Sequence, residues 1–269
     1  MTLIICNGMN RSGSTLQYNL VRGLLAQTGR GQAQGFILPE QLAEAAPQLA
    51  QWAAAADYHL VKMHDLPPQA AGWLAAGQLW VCYIYRDIRQ VAASYRRVWQ
   101  TPGDKLLAEL DQAVANYDAV KRLPVPGRVL CQRYEQVTGD LAAATQELAT
   151  FLGLAPTPAD VRHIVQECSP ENMQRVVRRL EWKLRLQTTT GKVTRRTLRL
   201  LRLRRLEARL KARALARRQA QAKRRIDDQT LLHPGHLGPA GAAPALTPAE
   251  LAAITDRYRA WLQEAGYPC

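Results

Sequence analysis

Three short stretches of this chain carry side chains suited to group transfer. Lys62 and His64 stand two apart in Val61-Lys62-Met63-His64-Asp65. A neutral imidazole, with an ordinary pKa of ~6.5, can take a proton from an attacking hydroxyl, and a neighbouring ammonium can stabilise charge on a leaving oxygen. The glycine turn Asn7-Gly8-Met9-Asn10-Arg11-Ser12-Gly13-Ser14-Thr15 can cradle an anion. Tyr85-Arg86-Asp87, with Ser94 eight residues beyond Arg86, offers a guanidinium and a hydroxyl for a second phosphate.

The elements around these residues have to present them at strand ends. Leu3-Ile4-Ile5-Cys6 is a short apolar run bounded by Asn7-Gly8 and reads as a buried strand. Ser14 to Ala26 reads as a helix, with Leu16, Leu20, Val21, Leu24 and Leu25 at helical spacing. A strand, a glycine turn and a helix start make an anion site, because unpaired N–H groups and the helix dipole point at it. Tyr58 to His64 is β-like and stops at Asp65-Leu66-Pro67-Pro68. Lys62 and His64 fall at its end, on one side of an extended backbone. Leu79 to Tyr85 is the clearest strand and leads into Arg86, with Asp87 as N-cap of a helix through Val91, Ala92, Ser94 and Tyr95. Ligands of open α/β sheets bind outside the carboxyl ends of the strands. The expected fold is therefore α/β, a parallel sheet of about four to five strands flanked by helices, in one domain over 1–269.

The glycine turn resembles a nucleoside-triphosphate loop, with Gly8, four residues, then Gly13-Ser14-Thr15. Ser14 holds the position of the lysine that normally reaches the β- and γ-phosphates. That disfavours a small-molecule or nucleotide kinase, the first alternative. Arg11 can supply a cation from within the loop, and a guanidinium binds oxyanions bidentately. Read singly, each stretch also has a plain structural meaning: a tight turn, a solvated His and Lys, a surface Arg-Asp pair. His163, His233 and His236 have no metal-ligand spacing with Cys or carboxylates, so no metal is expected.

Taken together, the stretches resemble the family of sulfotransferases that use 3′-phosphoadenosine 5′-phosphosulfate. Asn10 to Thr15 is similar to its 5′-phosphosulfate loop, P-[KR]-S-G-[ST]-T, with Arg11 at the basic position and Asn10 in place of proline. Lys62 and His64 match its K-x-H element, and Arg86 and Ser94 match its 3′-phosphate element. Arg133-Tyr134-Glu135 resembles its R-Y-E, and Phe151-Leu152-Gly153-Leu154 its F-L-G-L. The resemblance implies His64 as base, with Lys62 and Arg11 at the transferring group. It further implies a donor site of Asn10, Arg11, Ser12, Gly13, Ser14, Thr15, Arg86, Ser94, Tyr134 and Gly235, with Tyr134 near the adenine. It covers residues 1 to about 167 and, more weakly, 226 to 267. The family's C-terminal R-K-G-x-x-G is reduced to Gly235 and Gly238 without the basic pair, and Arg224 or Arg225 is the nearest substitute charge.

Charge is unevenly placed. The chain has 36 Lys+Arg against 22 Asp+Glu, and residues 175–225 hold 20 of the basic residues with only Glu181 and Glu207 as acids. That block is +18 and the remainder is 16 − 20 = −4. Residues 193–225 lack Pro and Gly and read as a helix of roughly 50 Å, with a thin stripe of Leu203, Leu206, Leu210 and Ala214. The block reads as a helical arm or lid inserted in the domain. An anionic or membrane-associated acceptor would also suit it, whereas nucleic acid is disfavoured. A non-catalytic nucleic-acid or membrane binder, the second alternative, leaves the strand-end residues unexplained. No apolar run of 18 or more residues occurs, so no transmembrane span is expected. The early first strand leaves no signal peptide, and Cys6, Cys82 and Cys131 lie in strands, so a reduced, cytoplasmic protein is expected. Sugar, phenol, lipid hydroxyl, tyrosine and amine acceptors would all use the same base and cradle.

Overall fold

In the computed structural model, residues 3–182, 227, 230–232 and 246–269 are described. The chain divides into two compact units, Met1–Cys168 with Pro239–Cys269, and Ser169–Gly238.

The first unit is built on a five-stranded sheet in the order β2-β3-β1-β4-β5, with every pair parallel. The strands are β1 (Leu3–Gly8), β2 (Gly31–Phe36), β3 (Tyr58–Lys62), β4 (Leu79–Tyr85) and β5 (Val129–Arg133). β1 lies in the middle and is buried along its whole length. Near-continuous apolar strands are what a parallel sheet covered on both faces requires. Helices α1 (Ser14–Thr28), α7 (Leu141–Leu152) and α8 (Pro158–Glu167) pack together and α1 lies on the sheet. Helices α2 (Leu42–Ala54) and α3 (Ala70–Ala75) share one apolar cluster with β1, β3 and β4. Helices α4 (Ile88–Trp99) and α5 (Gly103–Lys121) share a second with Tyr83, Trp261 and Tyr267. A short α6 (Tyr134–Gly139) follows β5 directly.

Local signals set these boundaries. Asp87 caps α4, its carboxylate accepting from Arg89 N–H at 2.9 Å. Thr247 and Glu250 form a capping box that starts the helix Pro248–Arg257, and the final helix Arg259–Glu264 follows. A buried amide chain pins the first turn of α1: Gln17 Nε2 donates to Gln132 Oε1 at 3.0 Å, and Gln132 Nε2 donates to Glu147 at 2.7 Å.

One strand was not foreseen and one boundary needs correction. Residues Gly31–Phe36 form β2, an edge strand of sequence GQAQGF. It has one neighbour and a half-exposed face, so it tolerates the polar residues that hid it. β3 also ends at Lys62 rather than His64, although Met63 N–H still donates to Cys6 O at 3.1 Å.

The described part of the second unit is a helix over residues 170–182 and a short turn. Ser169 Oγ accepts from Asn172 N–H at 3.2 Å, and Asp227 accepts from Thr230 N–H at 2.8 Å. The expected basic helix at 193–225 lies outside the described residues, as do His233, Gly235 and His236.

Candidate active site

The cradle begins where β1 meets β4. A Cβ at Gly8 would lie 2.6 Å from Ile84 O, so only glycine lets the loop leave the sheet here. Met9 N–H donates to Ile84 O at 3.2 Å, and Ser12 Oγ shares its proton between Met9 O at 2.7 Å and Ile84 O at 2.8 Å. The turn closes through two left-handed residues, Arg11 at φ 68° and Gly13 at φ 91°. The first intrahelical bond of α1 runs from Gln17 N–H to Gly13 O. The amides of Ser14, Thr15 and Leu16 therefore open the helix without intrahelical carbonyl partners, the arrangement that binds oxyanions.

Beside the cradle stands the Lys62–His64 pair. His64 Nδ1 lies 2.9 Å from Gly8 O, and Lys62 Nζ lies 3.3 Å from His64 Nε2. A carbonyl can only accept, so Nδ1 carries the proton and Nε2 presents its lone pair. Burial, reinforced by the Lys62 ammonium and opposed by the Gly8 bond, drops the imidazole pKa to about 3. His64 is thus neutral at physiological pH, with its Nε2 lone pair facing the Lys62 ammonium. Lys62 is 5% exposed, and burial lowers its pKa to about 8, with Cys6 opposing and Arg11 adding to the fall. Phe36, at the end of β2 and in register with Lys62, completes the group. Its ring lies 4.2 Å from Lys62 Nζ and meets the His64 ring edge-on at 5.6 Å.

Arg11, Ser94 and Arg86 converge on the loop. Arg11 Nε donates to Ser94 Oγ at 3.0 Å, which leaves the serine proton free to be donated elsewhere. Arg86 donates weakly to Arg11 O at 3.4 Å, while its Nε is buried with no hydrogen-bond partner among the described residues. A buried, unsatisfied guanidinium nitrogen is an anion's natural partner. Burial, then Arg97 and Arg86, lowers the pKa of Arg11. Arg97, on α4 one turn past Ser94, is therefore part of this cationic cluster, and the sequence reading missed it. Asn10 lies beside the Tyr95 hydroxyl.

Tyr134 forms the remaining wall. A Cβ on Gly13 would lie 2.6 Å from its ring, and the Arg86 guanidinium stacks 4.3 Å from the ring centroid. Its neighbours are held by the C-terminal segment. Tyr267 donates to Glu135 at 2.9 Å, and Arg133 lies 3.9 Å from the Tyr267 ring. The structure thus brings Asn10 to Thr15, Lys62, His64, Arg86, Ser94 and Tyr134 to the carboxyl ends of β1, β3, β4 and β5. Phe36 and the Gly8 carbonyl are additions that sequence reasoning did not foresee. Among the described residues, no three His, Cys, Asp or Glu side chains gather as a metal site.

The chain belongs to the sulfotransferase domain family, whose model matches residues 2–197. No curated protein matches it. Among solved structures it is similar to retinol dehydratase in complex with androsterone and inactive cofactor PAP, at 16% identity over 64% of this chain and 65% of that one, with a TM-score of 0.46. It is similar to mouse sulfotransferase SULT7A1 complexed with PAP, at 16% identity over 64% and 66% of the two chains, TM-score 0.43. A third is sulfotransferase STF1 from Mycobacterium tuberculosis, at 12% identity over 62% and 71%, TM-score 0.42. The matched region spans just under two thirds of the first two relatives' length.

Proposed function

We propose that this sulfotransferase-family protein transfers a sulfonate group from 3′-phosphoadenosine 5′-phosphosulfate to an acceptor hydroxyl or amine. One observation carries the reading: a neutral His64, tethered by Nδ1 to the cradle's own Gly8 carbonyl, presents Nε2 beside Lys62 at the mouth of an anion loop.

The residues divide the work. The amides of Ser14, Thr15 and Leu16 and the Arg11 guanidinium hold the 5′-phosphosulfate. Arg86, through its unsatisfied Nε, and the Ser94 hydroxyl hold the 3′-phosphate. Tyr134, packed on Gly13 and under Arg86, sides the adenine. An acceptor oxygen attacks sulfur in line. His64 Nε2 takes its proton, the new S–O bond forms, and the bond from sulfur to the bridging oxygen breaks. The electron pair leaves on the phosphate of 3′,5′-adenosine bisphosphate. Lys62 and Arg11 stabilise that charge, so no step calls for a metal. Ser14 at the P-loop lysine position disfavours the kinase alternative.

The direct test is thermal shift with the whole protein. We expect 3′,5′-adenosine bisphosphate to raise the unfolding temperature, by mass action, and Mg-ATP to leave it nearly unchanged. The opposite pattern would favour phosphoryl transfer. A chelator should leave sulfonate transfer intact.

A further inference from the structure

A pocket of about 270 Å³ opens beside the cradle, lined among others by Asn10, Tyr95, Trp99, Thr101, Lys105 and Glu109. Its walls come from the loop after β1, the end of α4 and the first turns of α5. Trp99 is 52% exposed, an unusual state for the largest apolar side chain. It closes α4 where Gln100 turns left-handed at φ 50°, and it meets the Tyr95 ring edge-on at 4.8 Å. Arg11, a cradle residue, lies 5.3 Å from the Trp99 ring, so the pocket borders the transfer site directly.

The charges in the pocket are unequal. Tyr95 donates to Glu109 Oε2 at 3.0 Å, which engages the acid with the wall. Lys105 is exposed and forms no ion pair within 4 Å among the described residues, although Glu109 is one turn away. The pocket therefore offers two aromatic rings and an uncommitted ammonium. Helix α5 also links it to the base. Asn116 Nδ2 donates to Asp65 Oδ1 at 3.3 Å, and Asp65 follows His64. Glu109 to Asn116 is about 10 Å of helix, at ~1.5 Å per residue.

We infer that this pocket receives the acceptor and selects molecules that carry a ring and an anionic substituent, the ring against Trp99 and Tyr95 and the anion on Lys105. The inference rests on the sulfonate-transfer reading for the reaction, but not for the binding. Aromatic and pyranose rings both offer an apolar face to indole. Two acceptor pairs separate them: phenol with 4-hydroxybenzoate, and glucose with glucuronate.

The test uses the whole protein, wild type, Lys105→Ala and Trp99→Leu. Acceptor KM is measured for all four compounds, and binding by saturation-transfer NMR in the presence of 3′,5′-adenosine bisphosphate. In at least one pair the carboxylate member should show a KM about tenfold lower, the worth of one charge-assisted contact at a partly exposed site. Lys105→Ala should abolish that preference. Trp99→Leu should weaken every ring acceptor that binds, while leaving nucleotide affinity within about threefold. A preference that survives Lys105→Ala overturns the inference. So does a loss of nucleotide affinity in Trp99→Leu as large as the loss for acceptor, which would place the pocket on the donor side. Binding of a ring-bearing anion that is lost in Trp99→Leu supports the pocket whether or not the compound is turned over, and the reaction itself is judged separately by the nucleotide thermal shift. Neither binding nor turnover with all four overturns the ring assignment.

Discussion

The Lys62 ammonium lies 3.3 Å from His64 Nε2, the nitrogen proposed to take the acceptor proton. The two roles exclude each other in time. In the proposed reaction, Lys62 would leave the imidazole for the bridging oxygen of the donor before His64 acts. Donor binding supplies the reason, since its phosphate charge competes for the ammonium better than a neutral ring does.

His64→Ala should therefore leave affinity for 3′,5′-adenosine bisphosphate close to wild type and lower turnover by about 10²–10⁴-fold. Lys62→Met should lower turnover and weaken donor binding together. Steady-state kinetics with isothermal titration separates the two. Turnover near wild type in His64→Ala would remove the base role and turn attention to Asp65.

The pH profile follows from the same pair. Lys62, held near pKa 8 by burial, is charged below that pH and loses its proton above it. For the free enzyme, kcat/KM for the donor should fall above about pH 8. His64, neutral down to about pH 3, should add no acidic limb between pH 5 and 7. Lys62→Arg should remove the basic limb, because a guanidinium keeps its charge. An acidic limb near 6.5 would contradict the burial of His64.

Acid stability gives an independent reading of His64. Its folded pKa lies below its unfolded value, so between about pH 3 and 6.5 the unfolded chain binds more protons. Stability should fall as pH falls through that window. His64→Gln, which cannot charge, should narrow the loss in urea melts at pH 4 relative to pH 7. An equal loss in both proteins would show that the imidazole is not desolvated.

Phe36 packs against the pair, with its ring 4.2 Å from Lys62 Nζ. Phe36→Leu keeps an apolar side chain but removes the π face. It should shift the basic limb of kcat/KM and lower kcat by about tenfold, with nucleotide affinity little changed. An unmoved limb would reduce Phe36 to packing.

In the cradle, Arg86→Ala should weaken 3′-phosphorylated nucleotides selectively, because its unsatisfied Nε is assigned to that phosphate. Adenosine 5′-phosphosulfate, which lacks the 3′-phosphate, should bind wild type and variant alike. Unchanged preference in competition binding would reverse the assignment. Arg11→Ala should damage both binding and turnover.

Much of this arrangement was legible because strand ends announce themselves. The apolar runs of β1 and β4 stop at Gly8 and Arg86, and Asp87 is a recognisable cap. The i, i+2 spacing of Lys62 and His64 placed both on one side. β2 was not legible, since GQAQGF has neither an apolar run nor alternation, and Phe36 was lost with it. The partner of His64 is a main-chain carbonyl, which no side-chain pattern can reveal. Arg86 and Ser94 were expected to serve one phosphate, but their spacing did not reveal that Ser94 meets Arg11 or that Arg86 stacks on Tyr134. Pairings between loops depend on how α1 and α4 are seated, which spacing along the chain does not encode.

The most direct measurement is acceptor-dependent release of 3′,5′-adenosine bisphosphate from sulfur-labelled donor, with the label followed into product. The wild-type protein should transfer the label without added metal, and His64→Ala, which still binds the nucleotide, should lose transfer by at least about 10²-fold. Label that stays on the donor with every acceptor, while Mg-ATP supports phosphoryl transfer, would contradict it.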